Sequence, residues 1–140
     1  IRLNVGKTEL IRAVVEGICF HMRWMLERQE LKTTKYQKSK TVRFCGGGAL
    51  GETTCQILAD ILQREVVVVE SPQNIGAVGA AACIAVGMGA IPSIFDVKKL
   101  IPVKTTYKPN PANKAVYDRN FKVFKNLYKA NKENFAILNG

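Results

Sequence analysis

Apolar residues recur at three- and four-residue intervals along the first part of the chain: Leu10, Ile11, Val14, Val15, Ile18, Cys19, Met22, Met25 and Leu26. That period is helical and predicts one long helix over Asn4–Leu31, capped by Asn4 or Thr8. Two flanks of the stripe are apolar, so the helix is expected to be well buried, with Glu9, Arg12, Glu16, Arg23 and Glu27 nearer an edge. His21 and Trp24 lie on it, and packing with a satisfied polar tip accounts for both. A polar, basic connector follows over Lys32–Lys40. The period then changes. Thr41–Cys45 reads as a strand that stops at Gly46–Gly47–Gly48–Ala49, and Glu52–Ile61 reads as a helix with Cys55, Leu58, Ala59 and Leu62 on its inner face. Gln63 and Arg64 turn the chain into Val66–Val69, a continuous β-branched run of the kind buried on both faces of a sheet. After a loop at Ser71–Asn74, a helix runs from Ile75 to Val86 and stops at Gly87–Met88–Gly89.

Prolines at 92, 102, 109 and 111 punctuate Ile91–Asn113, which predicts an irregular connector with one short helix over Ser93–Leu100. Asn113–Asn134 is the last helix, with Val116, Phe121, Phe124, Leu127 and Tyr128 as its stripe and lysines opposite. The order helix, strand, helix, strand, helix predicts an α/β domain of parallel strands flanked by helices. Two strands alone make a poorly stable sheet. Either a third strand lies in Val103–Tyr107, or the rest of the sheet lies in sequence outside this chain.

The 140 residues, 47% of them hydrophobic, suit one globular domain. No stretch approaches the roughly 18 consecutive apolar residues of a membrane span. Ile1–Arg2–Leu3–Asn4 has no initiator Met and no apolar leader region, so the sequence reads as a piece cut from a longer cytoplasmic protein. The net charge is +10. The basic residues are dispersed, however, and no aromatic residues interleave with them as base stacking on a nucleic acid would require. The expectation is therefore neither a nucleic-acid nor a membrane partner. Cys19, Cys45, Cys55 and Cys83 show no C-x-x-C spacing and read as reduced thiols buried among apolar neighbours.

The chemistry lies in the glycines. A strand, a glycine run and a helix leave free N–H groups and the positive end of a helix dipole pointing into open space, which suits an anion or nucleotide. Two nucleotide-binding readings arise. Gly46, Gly48 and Gly51 satisfy the dinucleotide pattern G-x-G-x-x-G, with Glu70 at the distance of a ribose-gripping acid. Against this, a long helix precedes the unit, and Gly47 is a glycine that pattern does not need.

The other reading is an ATP site, and here four segments taken in order resemble the FGGY family of carbohydrate kinases. Glu9–Gly17 is similar to the helical part of that family's signature, and Gly46–Gly47–Gly48–Ala49 to its adenosine motif. Ala59–Asp60–Ile61–Leu62 and Gly76–Ala77–Val78–Gly79–Ala80–Ala81 follow at the family's spacing. The likeness runs from about Lys7 to Asn134. It implies the C-terminal domain of such a kinase, an actin-like, ribonuclease-H-like α/β fold whose nucleotide pocket faces a second domain. It further implies ATP with Mg²⁺ as cofactors and a ketose such as xylulose as phosphoryl acceptor. By position, the resemblance carries nucleotide contacts to Gly46, Gly47, Gly48 and Ala49 and a base or ribose contact to Glu52. Gln56, one helical turn further on, is placed beside them by geometry.

No D-x-G-T-type phosphate loop is present. The resemblance therefore assigns the catalytic aspartate and most of the sugar pocket to an N-terminal domain of the same protein. Asp60, Glu65, Glu70, Asp96 and Asp118 read as capping or solvated residues, so no catalytic residue is expected in this chain. The small residues of Gly76–Ala82 are expected to pack tightly against the sheet, behind the adenine pocket. Incomplete strand edges and exposed apolar surface would invite artificial self-association of the piece and leave a homodimer as one option. The rival functions are an NAD-binding fragment and a non-catalytic basic binding module.

Overall fold

The computed structural model describes residues 5–32 and 39–140. The Asn4 cap and most of the Lys32–Lys40 connector lie outside them. Helix α1 spans Lys7–Lys32, strand β1 Thr41–Phe44, helix α2 Glu52–Leu62, strand β2 Glu65–Val69 and helix α3 Ile75–Gly87. A four-residue helix α4, Val97–Leu100, leads into strand β3, Val103–Tyr107, and helices α5, Lys114–Ala130, and α6, Lys132–Asn139, complete the order. At the start of α1 it is Glu9, not Thr8, that supplies the cap: its carboxylate accepts from the Gly6 amide at 3.0 Å.

The three strands form one sheet in the order β1-β2-β3. β1 and β2 are parallel, with Thr41 opposite Glu65 and Phe44 opposite Val68. The third strand lies where Val103–Tyr107 placed it, but it runs antiparallel to β2, with Val66 opposite Tyr107 and Val69 opposite Val103. The expectation of parallel strands therefore holds for the first pair only. The chain reaches β3 through the short α4 and enters it at the end where β2 leaves: the Glu70 amide donates to Pro102 O at 3.0 Å. No long crossover returns it to the other end of the sheet, so the strand runs backwards.

The core sits between α1, α2, α5 and the sheet. Leu58, Ile61, Val66, Cys19 and Cys55 are its largest fully buried side chains. Phe20 plugs α1 into α5, with ring centroids 6.0 Å from Tyr117, 6.0 Å from Phe121 and 5.7 Å from Phe124. A fully buried ring of this kind contributes about 2 kcal/mol. Arg23 lies flat on Phe121, 4.3 Å from its centroid, and reaches the Ile61 carbonyl at 3.1 Å and Asp118 at 2.8 Å. Lys114 first, then Arg23, hold the Asp118 carboxyl below its ordinary range. A bidentate fork from Arg64 to Glu30, at 2.5 and 2.8 Å, fixes the far end of α1.

The structure departs from the sequence pattern in several places. α1 is not well buried. Cys19 and Phe20 are inside, but Leu10, Ile11, Val14, Ile18 and Met25 form an exposed apolar stripe on its other side. The small residues of α3 do not pack tightly either. Gly76, Ala77, Gly79, Ala80 and Ala81 are exposed, a Cβ added at Gly76 or Gly79 would meet nothing within 4 Å, and only Ala82 is buried. The last helix is two: α5 ends at Asn131, whose side-chain amide donates to Leu127 O at 2.9 Å, and α6 starts anew. His21 is exposed, whereas Trp24 packs edge-on against Phe124 and Tyr128.

The thiols divide in two. Cys19 and Cys55 are buried, as expected, whereas Cys45 and Cys83 are exposed. Burial pushes the Cys19 thiol up to about 11 and raises that of Cys55. The reactive thiolate is thus further suppressed at the two buried positions near neutral pH. A disulfide-exchange reagent at pH 8 should titrate two thiols rapidly and the other two only in denaturant. Four rapid equivalents would contradict this packing.

Candidate functional site

β1 and β2, being parallel, end on the same side, and the site is built from the two turns that leave them. The Gly46 amide donates to Pro72 O at 2.8 Å, fastening the turn after β1 to the turn after β2. Gly46 has φ 90 and ψ −178, a conformation essentially reserved for glycine. Gly47–Leu50 then form one tight 3-10 turn, closed by the Ala49 amide on Gly46 O at 3.1 Å. Ala49 is buried as its floor, and its carbonyl accepts from Cys55 Sγ at 3.5 Å. Gly51 breaks the turn in an extended conformation, and α2 starts at Glu52 without a side-chain cap. Its first amides therefore remain available, as do those of Gly47 and Gly48, which have no backbone acceptor among the described residues.

The glycines differ in why they are glycine. At Gly46 the reason is the backbone angle. At Gly48 it is space, because a Cβ would lie 3.1 Å from Phe44 Cζ. At Gly51 a Cβ would lie 3.1 Å from Thr54 Oγ1. Gly47 has neither reason: its φ is ordinary, and a Cβ there would meet nothing within 4 Å. The fold leaves bare backbone facing open space at this position, a surface that a flat or anionic ligand can approach closely.

Glu52 is exposed at the start of α2, on the face that also carries Gln56. The amide of Gln56 does not hang free. Its Nε2 donates to Asp60 Oδ1 at 2.8 Å and to Lys108 O at 2.9 Å. Asp60 is the group that sequence reasoning misread. It is 5% exposed, and its carboxylate accepts from Gln56, from the Asn110 amide at 2.8 Å and from Asn113 Nδ2 at 2.7 Å. It ties α2 to the connection between β3 and α5, and is neither a cap nor a solvated acid. The amide-bearing Gln56 one turn before it and the pair Asn110 and Asn113 were its only signals in the sequence. With Asp60 saturated by donors and Asp118 paired to Lys114 and Arg23, neither is placed as a proton acceptor. Among the described residues no three His, Cys, Asp or Glu side chains gather as a metal cage, and no helix is long and apolar enough to cross a membrane.

A small sheet flanked by helices is the mixed α/β, actin-like fold of the sugar kinases on which the chain superposes. The chain belongs to the FGGY family of carbohydrate kinases: its residues 1–88 match the C-terminal domain of that family. It is 33% identical over 124 residues to the xylulose kinase of Lactococcus lactis, a match covering 87% of this chain and 24% of that protein. It is also 33% identical to the autoinducer-2 kinase of Salmonella typhimurium, over 81% of this chain and 21% of the other. The crystal structure of xylulose kinase from Rhodospirillum rubrum superposes with a TM-score of 0.76 at 28% identity, covering 97% of this chain and 27% of that one. The chain thus spans about a quarter of the length of its relatives. Family membership sets aside both the NAD-binding and the basic-scaffold readings. The antiparallel β3 agrees, since it departs from the parallel order that a dinucleotide fold would continue.

Proposed function

We propose that this chain is the nucleotide-binding part of a carbohydrate kinase that uses Mg²⁺–ATP to phosphorylate a ketose such as D-xylulose in the cytoplasm. The observation that carries the proposal is Gly47, a glycine with no internal reason to be one, on a turn whose free amides face outward beside an uncapped helix start. In this reading Gly46, Gly47 and Gly48 cradle the nucleoside and the α-phosphate, with Ala49 as the floor beneath them. Glu52 accepts hydrogen bonds from ribose hydroxyls or a base amino group, and Gln56 lines the same end. A carboxylate is repelled by polyphosphate, so Glu52 belongs at the nucleoside end, with the phosphates over the amides.

The γ-phosphoryl group would pass to a sugar hydroxyl held by an N-terminal domain, which would also supply the catalytic base and the residues around Mg²⁺. Catalysis by such an enzyme is chiefly positioning and charge neutralisation as two domains close. The exposed stripe Leu10, Ile11, Val14, Ile18 and Met25 supports a covering partner of this kind.

Gly47→Asp tests the proposal without disturbing the fold, because its side chain enters open space. Stability should change by less than about 1 kcal/mol. In the full-length protein the KM for ATP should rise at least about tenfold, with little change in the KM for sugar. An unchanged KM for ATP would remove the glycine turn from the nucleotide site.

A further inference from the structure

The second half of α1 borders a cleft that shares no residue with the glycine turn. On one side of Trp24 a hollow of about 470 Å³ lies between α1, α5 and α6, walled by Phe124, Leu127, Tyr128 and Phe135. On the other side a hollow of about 280 Å³ is bounded by Met25 and Arg28. His21 and Trp24 line both, so the two make one elongated cleft, apolar at its larger end and polar at its smaller. The rings fix the walls: Trp24 stands edge-on to Tyr128 at 5.3 Å, and Tyr128 lies 6.1 Å from Phe135. Leu127 is nevertheless 57% exposed and Phe135 44%, so these walls are not closed by their own contacts.

The polar groups of the cleft are donors. Arg28 has no ion pair among the described residues. The Trp24 Nε1–H has no hydrogen-bond partner among them, and it is not sealed from solvent. No carboxylate lines either hollow. Lys129 and Lys132, next in sequence to Tyr128 and Asn131, add positive charge without an acidic partner among the described residues.

We infer that this cleft binds an amphiphilic monocarboxylate, a free fatty acid of medium chain length. Its acyl chain lies between Trp24, Tyr128 and Phe135, and its carboxylate pairs with Arg28. An apolar hollow of this volume with a few converging polar groups is the build of a small-molecule site. Charge then selects the molecule. A cationic amphiphile is repelled by Arg28 and the two lysines, and a second copy of this chain would bring the same positive face to itself. A carboxylate instead gives the guanidinium the acceptor that it lacks.

The test titrates the full-length protein by calorimetry with decanoate, hexanoate, 1-decanol and decylammonium, all below micellar concentration. Decanoate should saturate one site and bind at least about tenfold more tightly than hexanoate, because four methylenes leave the apolar walls. It should exceed decylammonium by about tenfold or more. Arg28→Gln should weaken decanoate about tenfold and change 1-decanol by less than about twofold. Leu127→Glu sets a negative charge in the cleft and should weaken decanoate by more than about tenfold. Both side chains are exposed, so neither substitution threatens the fold. Absence of saturable decanoate binding would overturn the inference, including the case in which another part of the protein or a second copy fills the cleft. So would equal affinity for decylammonium, or decanoate binding that both substitutions leave intact, which would place it elsewhere.

Discussion

Asp60→Ala should lower folding stability by about 3 kcal/mol, read as a shift in the urea midpoint at an unchanged slope. The substitution removes little apolar surface. Its cost comes from the Asn110 amide and Asn113 Nδ2, which lose their partner at a part-buried site, and from Gln56, which keeps only Lys108 O. A fully buried donor left without an acceptor costs about 1–3 kcal/mol, and three part-buried ones at about 1 kcal/mol each give the figure above. Total stability for a domain of this size is about 5–15 kcal/mol, so the loss is a large share of it. Asp60→Asn keeps one carbonyl oxygen for the Asn110 amide and should recover part of the loss. If Asp60→Ala cost under about 1 kcal/mol, Asp60 would not be the fastener between α2 and the start of α5.

Gly46→Val should be nearly as damaging, for a different reason. No neighbour would obstruct the new side chain, since a Cβ at Gly46 meets nothing within 4 Å. The obstacle is the backbone itself, at φ 90 and ψ −178. A branched residue forced into that region stores about 1–3 kcal/mol, and relief by rotation would break the 2.8 Å bond from the Gly46 amide to Pro72 O. A loss of about 3 kcal/mol corresponds to a drop in Tm of roughly 10 °C for a chain of this length. Nucleotide affinity should fall with it. Gly47→Asp makes the contrast: of two adjacent glycines, one is required by the backbone and the other is proposed to serve the nucleotide. A Gly46→Val protein that melts within about 2 °C of the wild type would mean that the turn is not held as described.

The sequence already displayed β1, the glycine turn, α2, β2 and α3, because each is announced by local chemistry: a change of period, a glycine run, four consecutive valines. What it hid depends on partners far along the chain. The direction of β3 follows from the path through α4, and five residues of period two read the same either way. Periodicity marked which positions of α1 are apolar, yet whether anything covers Val14 or Ile18 is a property of other segments. The tightness expected of Gly76 and Gly79 failed for the same reason. Cys45 and Cys83 look like Cys19 and Cys55 in composition of neighbours, and only tertiary burial separates them. The glycine turn and the helix start at Glu52, on which the proposed nucleotide site rests, were legible in the sequence. The hub at Asp60 was not, because its donors lie about fifty residues away in a proline-rich connection.

One backbone hydrogen bond joins Gly46 to Pro72. It stitches the glycine bend to the Ser71–Asn74 turn, where Ser71 itself is held at φ 47. In the proposed nucleotide reading, this stitch shapes the turn before any ligand arrives, so the entropy of ordering it is charged to folding and not to binding. On that reading, affinity for the nucleotide and resistance to unfolding become linked quantities. Whatever loosens this stitch weakens the ligand's hold, and a saturating ligand should in turn restore part of the lost melting temperature.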